Sequence, residues 1–147
     1  MDKNRIDNFR GEYFFLSNFF SAPVEWEGLI YLNSEAAFQA AKVLTVQERM
    51  EFIYLDPSRA KRRGRQVKLR DDWEQVKYGV MEEIVRAKFT QNEWLGKKLL
   101  ATGTAELIEG NTWGDTCWGI DLRTGKGKNH LGEILMKIRA ELIEKES

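Results

Sequence analysis

Between Asn33 and Lys42 the chain carries a carboxylate, an amide and an ammonium at helical spacing. At about 100° per residue, Glu35, Phe38, Gln39 and Lys42 share one arc of a short helix. Side chains of these types held together can do general acid–base work and hold an anion. Ala36, Ala37, Ala40 and Ala41 occupy the opposite side, where small side chains let a neighbouring element approach closely. A solvated polar stripe on a packed helix has the same pattern. Phe38 within the stripe fits the wall of a pocket better than open water.

Four other segments carry groups of interest. Leu16-Ser17-Asn18-Phe19-Phe20 sets two hydrogen-bonding side chains inside an aromatic run; a turn in which Asn18 bonds its own backbone reads equally well. Arg59 to Arg65 holds five basic residues around Gly64, either a solvated surface or a phosphate-capture element, for which the planar guanidinium is suited. In Trp113-Gly114-Asp115-Thr116-Cys117-Trp118-Gly119 two indoles bracket an aspartate, and indole faces stack on bases or sugars as readily as they fill cores. Gly125-Lys126-Gly127-Lys128-Asn129 precedes a helix, and free N–H groups at a helix start favour an anion. No Walker lysine or dinucleotide fingerprint accompanies it.

Composition narrows the classes. Lysine plus arginine equals aspartate plus glutamate at 23 each, so no net field draws the chain to nucleic acid or an anionic membrane. Cys117 and His130 are the only residues of their types. An internal disulfide is excluded, a Cys/His zinc site lacks ligands, and no metal or cofactor is expected. Cys117 reads as a small inert hydrophobe, and His130 as a surface or capping residue. Met1 to Arg5 leads into no long apolar run, and the expectation is a soluble cytoplasmic protein without a membrane span.

The elements that must position these groups follow from local signals. Val24 to Glu27 and Leu29 to Leu32 flank Gly28 as a hairpin, and Asn33 or Ser34 caps the helix after it. Gln47 to Tyr54 reads as a short helix ending near Asp56-Pro57. Asp71 or Asp72 caps a long helix carrying Trp73, Val76, Val80, Ile84 and Val85. Asn92 caps a third from Glu93 to Ala101, closed by Gly103. Thr104 to Ile120 is irregular apart from strand character at 105–108. A final helix from Asn129 carries Leu131, Ile134, Leu135, Ile138 and Leu142 on one face. At 147 residues without repeat or linker, the expectation is one α-rich α+β domain, 1–147 with its core at about 9–143, holding a small β-sheet or hairpin.

Taken in order, the segments resemble a known family. Gly11 to Phe19, Ser34 to Lys42, Gly64-Arg65, Arg70 to Trp73, Val80-Met81, Lys88-Phe89, Leu99 to Gly103, Asp115 to Gly119 and Gly127 to Gly132 match the pattern of the NADAR family of YbiA-like N-glycosidases. The resemblance runs from about Phe9 to Leu142. It implies a compact α-rich α+β fold that hydrolyses ribosyl C–N bonds without metal, in phosphorylated ribosylamino intermediates of the riboflavin pathway or in ADP-ribosylated guanine of nucleic acid. It implies Glu35 as catalytic base or charge stabiliser, with Asp115 orienting the ribose hydroxyls or sharing the acid–base work. Lys42 would be a phosphate ligand or an amine that adds to the opened sugar. Ser17, Asn18, Phe38 and Gln39 would line the substrate, with Trp73 or Trp118 on the base. Arg65 and the loop around Gly127 and Asn129 would take the phosphate or pyrophosphate, and Gly119 would also line the substrate. Ala36 stands where the family often has histidine. The same pocket could also read ADP-ribose without cleaving it. Oligomeric state leaves no trace in the sequence.

Overall fold

The computed structural model describes residues 4–146; Met1 to Lys3 and Ser147 lie outside the described residues. In chain order the elements are β1 (Arg5–Ile6), a 3-10 turn (Gly11–Leu16), β2 (Ser21–Trp26), β3 (Leu29–Asn33), α1 (Ser34–Ala40), α2 (Val46–Met50) and α3 (Pro57–Gly64). Then come α4 (Trp73–Gln91), α5 (Glu93–Leu100), β4 (Glu106–Leu107), β5 (Gly110–Asn111), β6 (Ile120–Asp121) and α6 (His130–Glu146). Helix dominates, and the paired strands among the described residues form two-stranded ladders, an α+β architecture. The residues group into two units, Asn18–Glu93 and the remainder on either side of it in sequence.

Within Asn18–Glu93, β2 and β3 pair antiparallel, Trp26 opposite Leu29 and Val24 opposite Tyr31. Glu27 and Gly28 both take positive φ (47° and 88°), the turn whose twist suits a two-residue hairpin. Ala22, Val24 and Trp26 point inward while Ser21, Pro23 and Glu25 point out, the period of two that a one-sided sheet requires. Asn33 ends β3 and caps α1: its side chain accepts the Ala36 N–H at 2.7 Å and donates to the Leu55 carbonyl at 3.1 Å. Thr45 and Glu48 form a capping box on α2. Arg49 turns inward over Trp26, 4.8 Å from its ring, and pairs with Glu27 at 2.7 Å.

Two expected caps are corrected, and one helix lies where the sequence reading assigned no element. The basic run from Arg59 lies on a helix, α3, whose N-cap Asp56 accepts the Arg59 N–H at 2.9 Å with Pro57 at its first position. Asp72 stands at the N-cap of α4 without a side-chain cap. Its carboxylate is taken by Arg70 at 2.6 and 3.1 Å, which holds the Asp72 carboxyl below its ordinary range. Asn92 acts on the helix behind it, donating to Lys88 O and Pro23 O, each at 2.9 Å.

The buried face of α4 runs Trp73, Val80, Met81, Ile84, Val85, Lys88 and Phe89. Lys88 sits between the rings of Phe20 and Phe89, 5.6 and 5.0 Å from their centroids. Tyr31, fully buried beneath the hairpin, has a hydroxyl without a hydrogen-bond partner, and burial pushes its pKa up to about 12.

The second unit joins β1 to β4 and β5 to β6, both in parallel. Leu131, Ile134, Leu135 and Ile138 of α6 are buried as their spacing predicts, while Leu142 is half-buried. Arg139 joins them and donates to Thr102 Oγ1 and Ala105 O, each at 2.8 Å.

Burial pushes the Lys88 ammonium down to about 7 from 10.5. The unfolded chain therefore binds the extra proton between those values, and stability rises with pH across that window. The stability of the wild type relative to Lys88→Met is expected to grow from pH 7 to pH 10 by up to about 1.4 kcal/mol per pH unit. Denaturant unfolding of both proteins across that range checks it; parallel curves would refute it.

Candidate active site

Every residue of α1 from Ser34 to Ala40 is buried. The helix starts against Asn18, whose carbonyl accepts the Glu35 N–H at 3.2 Å and whose side chain bridges Ser34 Oγ (3.0 Å) and Met81 Sδ (3.4 Å). Asn18 lies in a turn, as expected, and its side chain and carbonyl support the start of α1. α3 meets α1 at Gln39 and α4 meets it at Phe38, so the polar stripe is enclosed instead of solvated. Gln39 Nε2 donates to Glu35 Oε2 at 2.6 Å, the charge-assisted partner that a buried carboxylate needs. Gln39 Oε1 is buried without a hydrogen-bond partner and packs on Gly64, where a Cβ would overlap it.

Lys42 follows α1 and donates to the Gly64 carbonyl at 3.4 Å. Burial lowers its pKa; Glu35 opposes this, while Arg65, Lys61 and Lys77 add to it. A carboxylate, an amide and a partly desolvated amine thus lie beside three further cations. The Arg70 N–H donates to the Lys42 carbonyl at 2.8 Å, tying down the chain after α1. Phe38 packs on Trp73 at 5.2 Å between centroids. Both rings are buried, so Trp73 is a wall for Phe38 and offers no open face to a base.

In the other unit, the 111–131 region is a network of side chains bonded to backbone. Asp115 Oδ1 accepts the N–H groups of Cys117 and Trp118 at 3.0 and 2.9 Å. Asn111 closes the loop, donating to Asp115 O at 2.9 Å and accepting Asp115 N–H at 3.0 Å. Trp118 is half-buried, its ring 6.1 Å from His130 in an edge contact.

The anion site expected before α6 is corrected by where its N–H groups go. Lys128, Asn129, His130 and Leu131 donate to the carbonyls of Thr116, Gly119, Cys117 and Trp118. Asn129, at positive φ (55°), accepts the Glu109 N–H and donates to Leu107 O, both at 2.9 Å. Gly127 and Gly119 lie where a Cβ would strike the Gly119 and Glu109 carbonyls. Asn129 therefore spends its N–H and side-chain amide within the loop, and Gly119 and Gly127 allow close backbone approach. Ser17 closes the 3-10 turn with its N–H on Phe14 O at 2.9 Å.

The structure therefore brings Glu35, Phe38, Gln39, Lys42, Arg65 and Trp73 into one neighbourhood, and gathers Asp115, Trp118, Gly119, Gly127 and Asn129 in another. Sequence reasoning missed Gly64 as the surface under Gln39 and Asn111 as the loop clasp, whose four-residue separation from Asp115 was the available signal. Among the described residues, no group of three or more His, Cys, Asp or Glu side chains is placed to hold a metal ion. No helix among them is long and apolar enough to cross a membrane.

A family model described as the NADAR domain matches residues 7–143. The chain belongs to the NADAR family. It is 44% identical to N-glycosidase YbiA of Escherichia coli K12 over 138 residues, covering 91% of this chain and 85% of that NADAR protein. It is 39% identical to riboflavin biosynthesis protein VVA0006 of Vibrio vulnificus over 88% of this chain and 36% of that protein. The NMR structure of E. coli YbiA superposes with a TM-score of 0.85 at 38% identity, over 99% of this chain and 89% of that one.

Gly64→Ala is expected to cost about 1–3 kcal/mol by overpacking against Gln39, and markedly less in a Gln39→Ala background. A double-mutant cycle in urea reads the coupling; equal costs in both backgrounds would show that Gln39 is not what Gly64 accommodates.

Proposed function

We propose that this NADAR chain is an N-glycosidase that hydrolyses the ribosyl C–N bond of a phosphorylated ribosylamino compound of the riboflavin-intermediate type. The observation that carries the reading is the buried Glu35 carboxylate, bonded to Gln39 at 2.6 Å beside the Lys42 cluster. The names of the relatives, N-glycosidase YbiA and a riboflavin biosynthesis protein, support the reaction and the substrate class.

Cleaving a ribosyl C–N bond builds positive charge on the sugar. Glu35 stabilises that charge and takes a proton from the attacking water, while the nitrogen leaves with the electron pair of the broken bond and is protonated. Gln39 holds the carboxylate in place, so its contribution reaches the sugar through Glu35. Arg65, exposed at the end of α3, with Lys61, receives the phosphate. Lys42, partly desolvated and held below its ordinary pKa, has more neutral amine at a given pH than an exposed lysine. This favours, over phosphate binding, a covalent route in place of direct water attack. The Lys42 amine adds to C1 of the ring-opened sugar, and the ribosyl nitrogen leaves as the protonated free amine. Water activated by Glu35 then hydrolyses the resulting imine to release the sugar and restore Lys42.

One observation favours a second substrate, ADP-ribosylated guanine in nucleic acid. Arg59, Arg62 and Arg63 line a cavity of about 540 Å³ on the outer side of α3, where a phosphodiester chain would find guanidinium groups. Cleavage of such a substrate would weaken steeply with salt.

Mass spectrometry of products separates the readings. A ribosylamino-pyrimidine phosphate is expected to release ribose 5-phosphate. Glu35→Gln is expected to lower kcat by about 10²–10⁴-fold without loss of fold; full activity in that variant would remove Glu35 from the mechanism. Release of ADP-ribose from modified DNA alone would select the second substrate, and stoichiometric binding without product would make the chain a reader. Borohydride added during turnover is expected to leave a sugar adduct on Lys42; full turnover with no adduct would return Lys42 to phosphate binding.

A further inference from the structure

Helix α1 is met on two sides. Phe38 faces α4, where it packs on Trp73, and Gln39 faces α3, where it packs on Gly64. At about 100° per residue Glu35 projects between those two directions, toward the groove that α3 and α4 leave over α1. Lys42 turns into the same groove, its Nζ on the Gly64 carbonyl at 3.4 Å. The α3 wall of the groove enters the mechanism through Lys61 and Arg65; the α4 wall has no charged group in it so far.

Three contacts fix how α4 runs along α1. The Arg70 N–H bonds the Lys42 carbonyl at 2.8 Å, just past the end of α1. Trp73 meets Phe38 further back along it. Met81 Sδ accepts from the Asn18 amide at 3.4 Å, and Asn18 Oδ1 accepts from Ser34 at 3.0 Å, where α1 begins. The two helices are therefore antiparallel. Trp73, Lys77 and Met81 lie at four-residue steps on one stripe of α4, so Lys77 stands between the levels of Phe38 and Ser34, opposite the turn that carries Glu35. Helical side chains lean toward the N-terminus of their own helix. Across this antiparallel pair, that lean carries the Lys77 ammonium toward the Lys42 end of α1. Its side chain is only 17% exposed, while Glu74, which it meets at 2.7 Å, is 72% exposed. The Tyr78 ring is 5.2 Å from the same nitrogen.

We propose that Lys77 is a positioning residue of this site, the fixed cation on α4 that acts through Lys42 by disfavouring a second ammonium in the groove. The inference deepens the imine reading of Lys42 and rests on it. A lysine nucleophile is activated by desolvation and by a neighbouring cation, and Lys42 has both. Burial lowers its pKa most, Glu35 opposes this, and Arg65, Lys61 and Lys77 lower it further. Substrate changes the balance among the three cations. Arg65 and Lys61 are neutralised by the phosphate they receive, whereas Lys77 keeps its charge. Glu74, largely in water, offsets that charge only in part. Arg70 and Asp72, before Trp73, bond each other at 2.6 and 3.1 Å and cancel.

The rate of Lys42 acetylation by acetic anhydride, read by mass spectrometry of the full chain after digestion, tests this without any substrate. Lys77→Met keeps the aliphatic stem and is expected to slow Lys42 labelling at pH 7 by about 3–10-fold, because Lys42 then holds its proton to higher pH. Lys77→Arg is expected to label at the wild-type rate. Glu74→Gln, an exposed change, is expected to speed labelling and to do nothing in the Lys77→Met background; it carries the test should Lys77→Met fail to fold. In turnover of a ribosylamino-pyrimidine phosphate, Lys77→Met is expected to lower kcat at pH 7 by the same factor with KM unchanged, and to recover at higher pH. Unmoved labelling in folded Lys77→Met overturns the inference. So does equal slowing in Lys77→Arg, or a Glu74→Gln protein that labels as the wild type does. Labelling that shifts while kcat does not also overturns it, since Lys42 then has no part in the step. A wild type that cleaves no ribosyl substrate, with labelling that still follows the charge at position 77, removes the proposed reaction and supports Lys77 as the cation beside Lys42.

Discussion

A carboxylate can be kept inside a protein only if something replaces the water it gives up. Helix α1 is arranged around that requirement. Glu35 is enclosed together with Gln39, whose amide nitrogen supplies the replacement bond, and Lys42 stands close by as countercharge. The alanines on the opposite face are buried too, and Gly64 leaves room on α3 for the far end of the Gln39 amide. Asn18 and Asn33 secure the start of the helix and Arg70 its end, so the polar groups are held by backbone anchors on either side. Remove the close approach of α3 and the carboxylate would regain solvent, along with an ordinary environment.

The loop from Asn111 to Leu131 solves a different problem. It has almost no regular structure, yet its backbone groups must be satisfied. Asn111, Asp115 and Asn129 do this by acting as side-chain substitutes for missing ladder partners. The polar residues there divide accordingly. Asp115 Oδ1 and both ends of the Asn129 amide serve the loop itself, while Trp118 keeps part of its ring toward solvent.

The hairpin, the Asn33 cap and the apolar face of α6 were legible because each is a local pattern: a positive-φ turn, a short polar side chain before a helix, and spacings of three and four. Helix α3 was also legible in principle, since Asp56-Pro57 is a start signal, but the density of positive charge drew attention from it. Glu35, Gln39 and Lys42 could be placed on one arc from sequence. That the arc is buried could not, because burial depends on α3 approaching from twenty residues further along. The same limit explains Asn129 and Gly127. Glycines before a helix read as an anion cradle, whereas the carbonyls of Thr116 to Gly119 fill it from a distance no spacing rule covers. Asp72 fails as a cap for a related reason: Arg70 competes for the same oxygens.

The two units differ in how the chain visits them. Asn18–Glu93 is one uninterrupted stretch, whereas the other unit is assembled from both ends of the sequence. On a ribosome the middle of the chain is therefore complete while α5 and α6 are still unmade. Strand β1 leaves the ribosome about a hundred residues before Glu106 and Leu107, its partners in the ladder. A strand made long before its partner settles late.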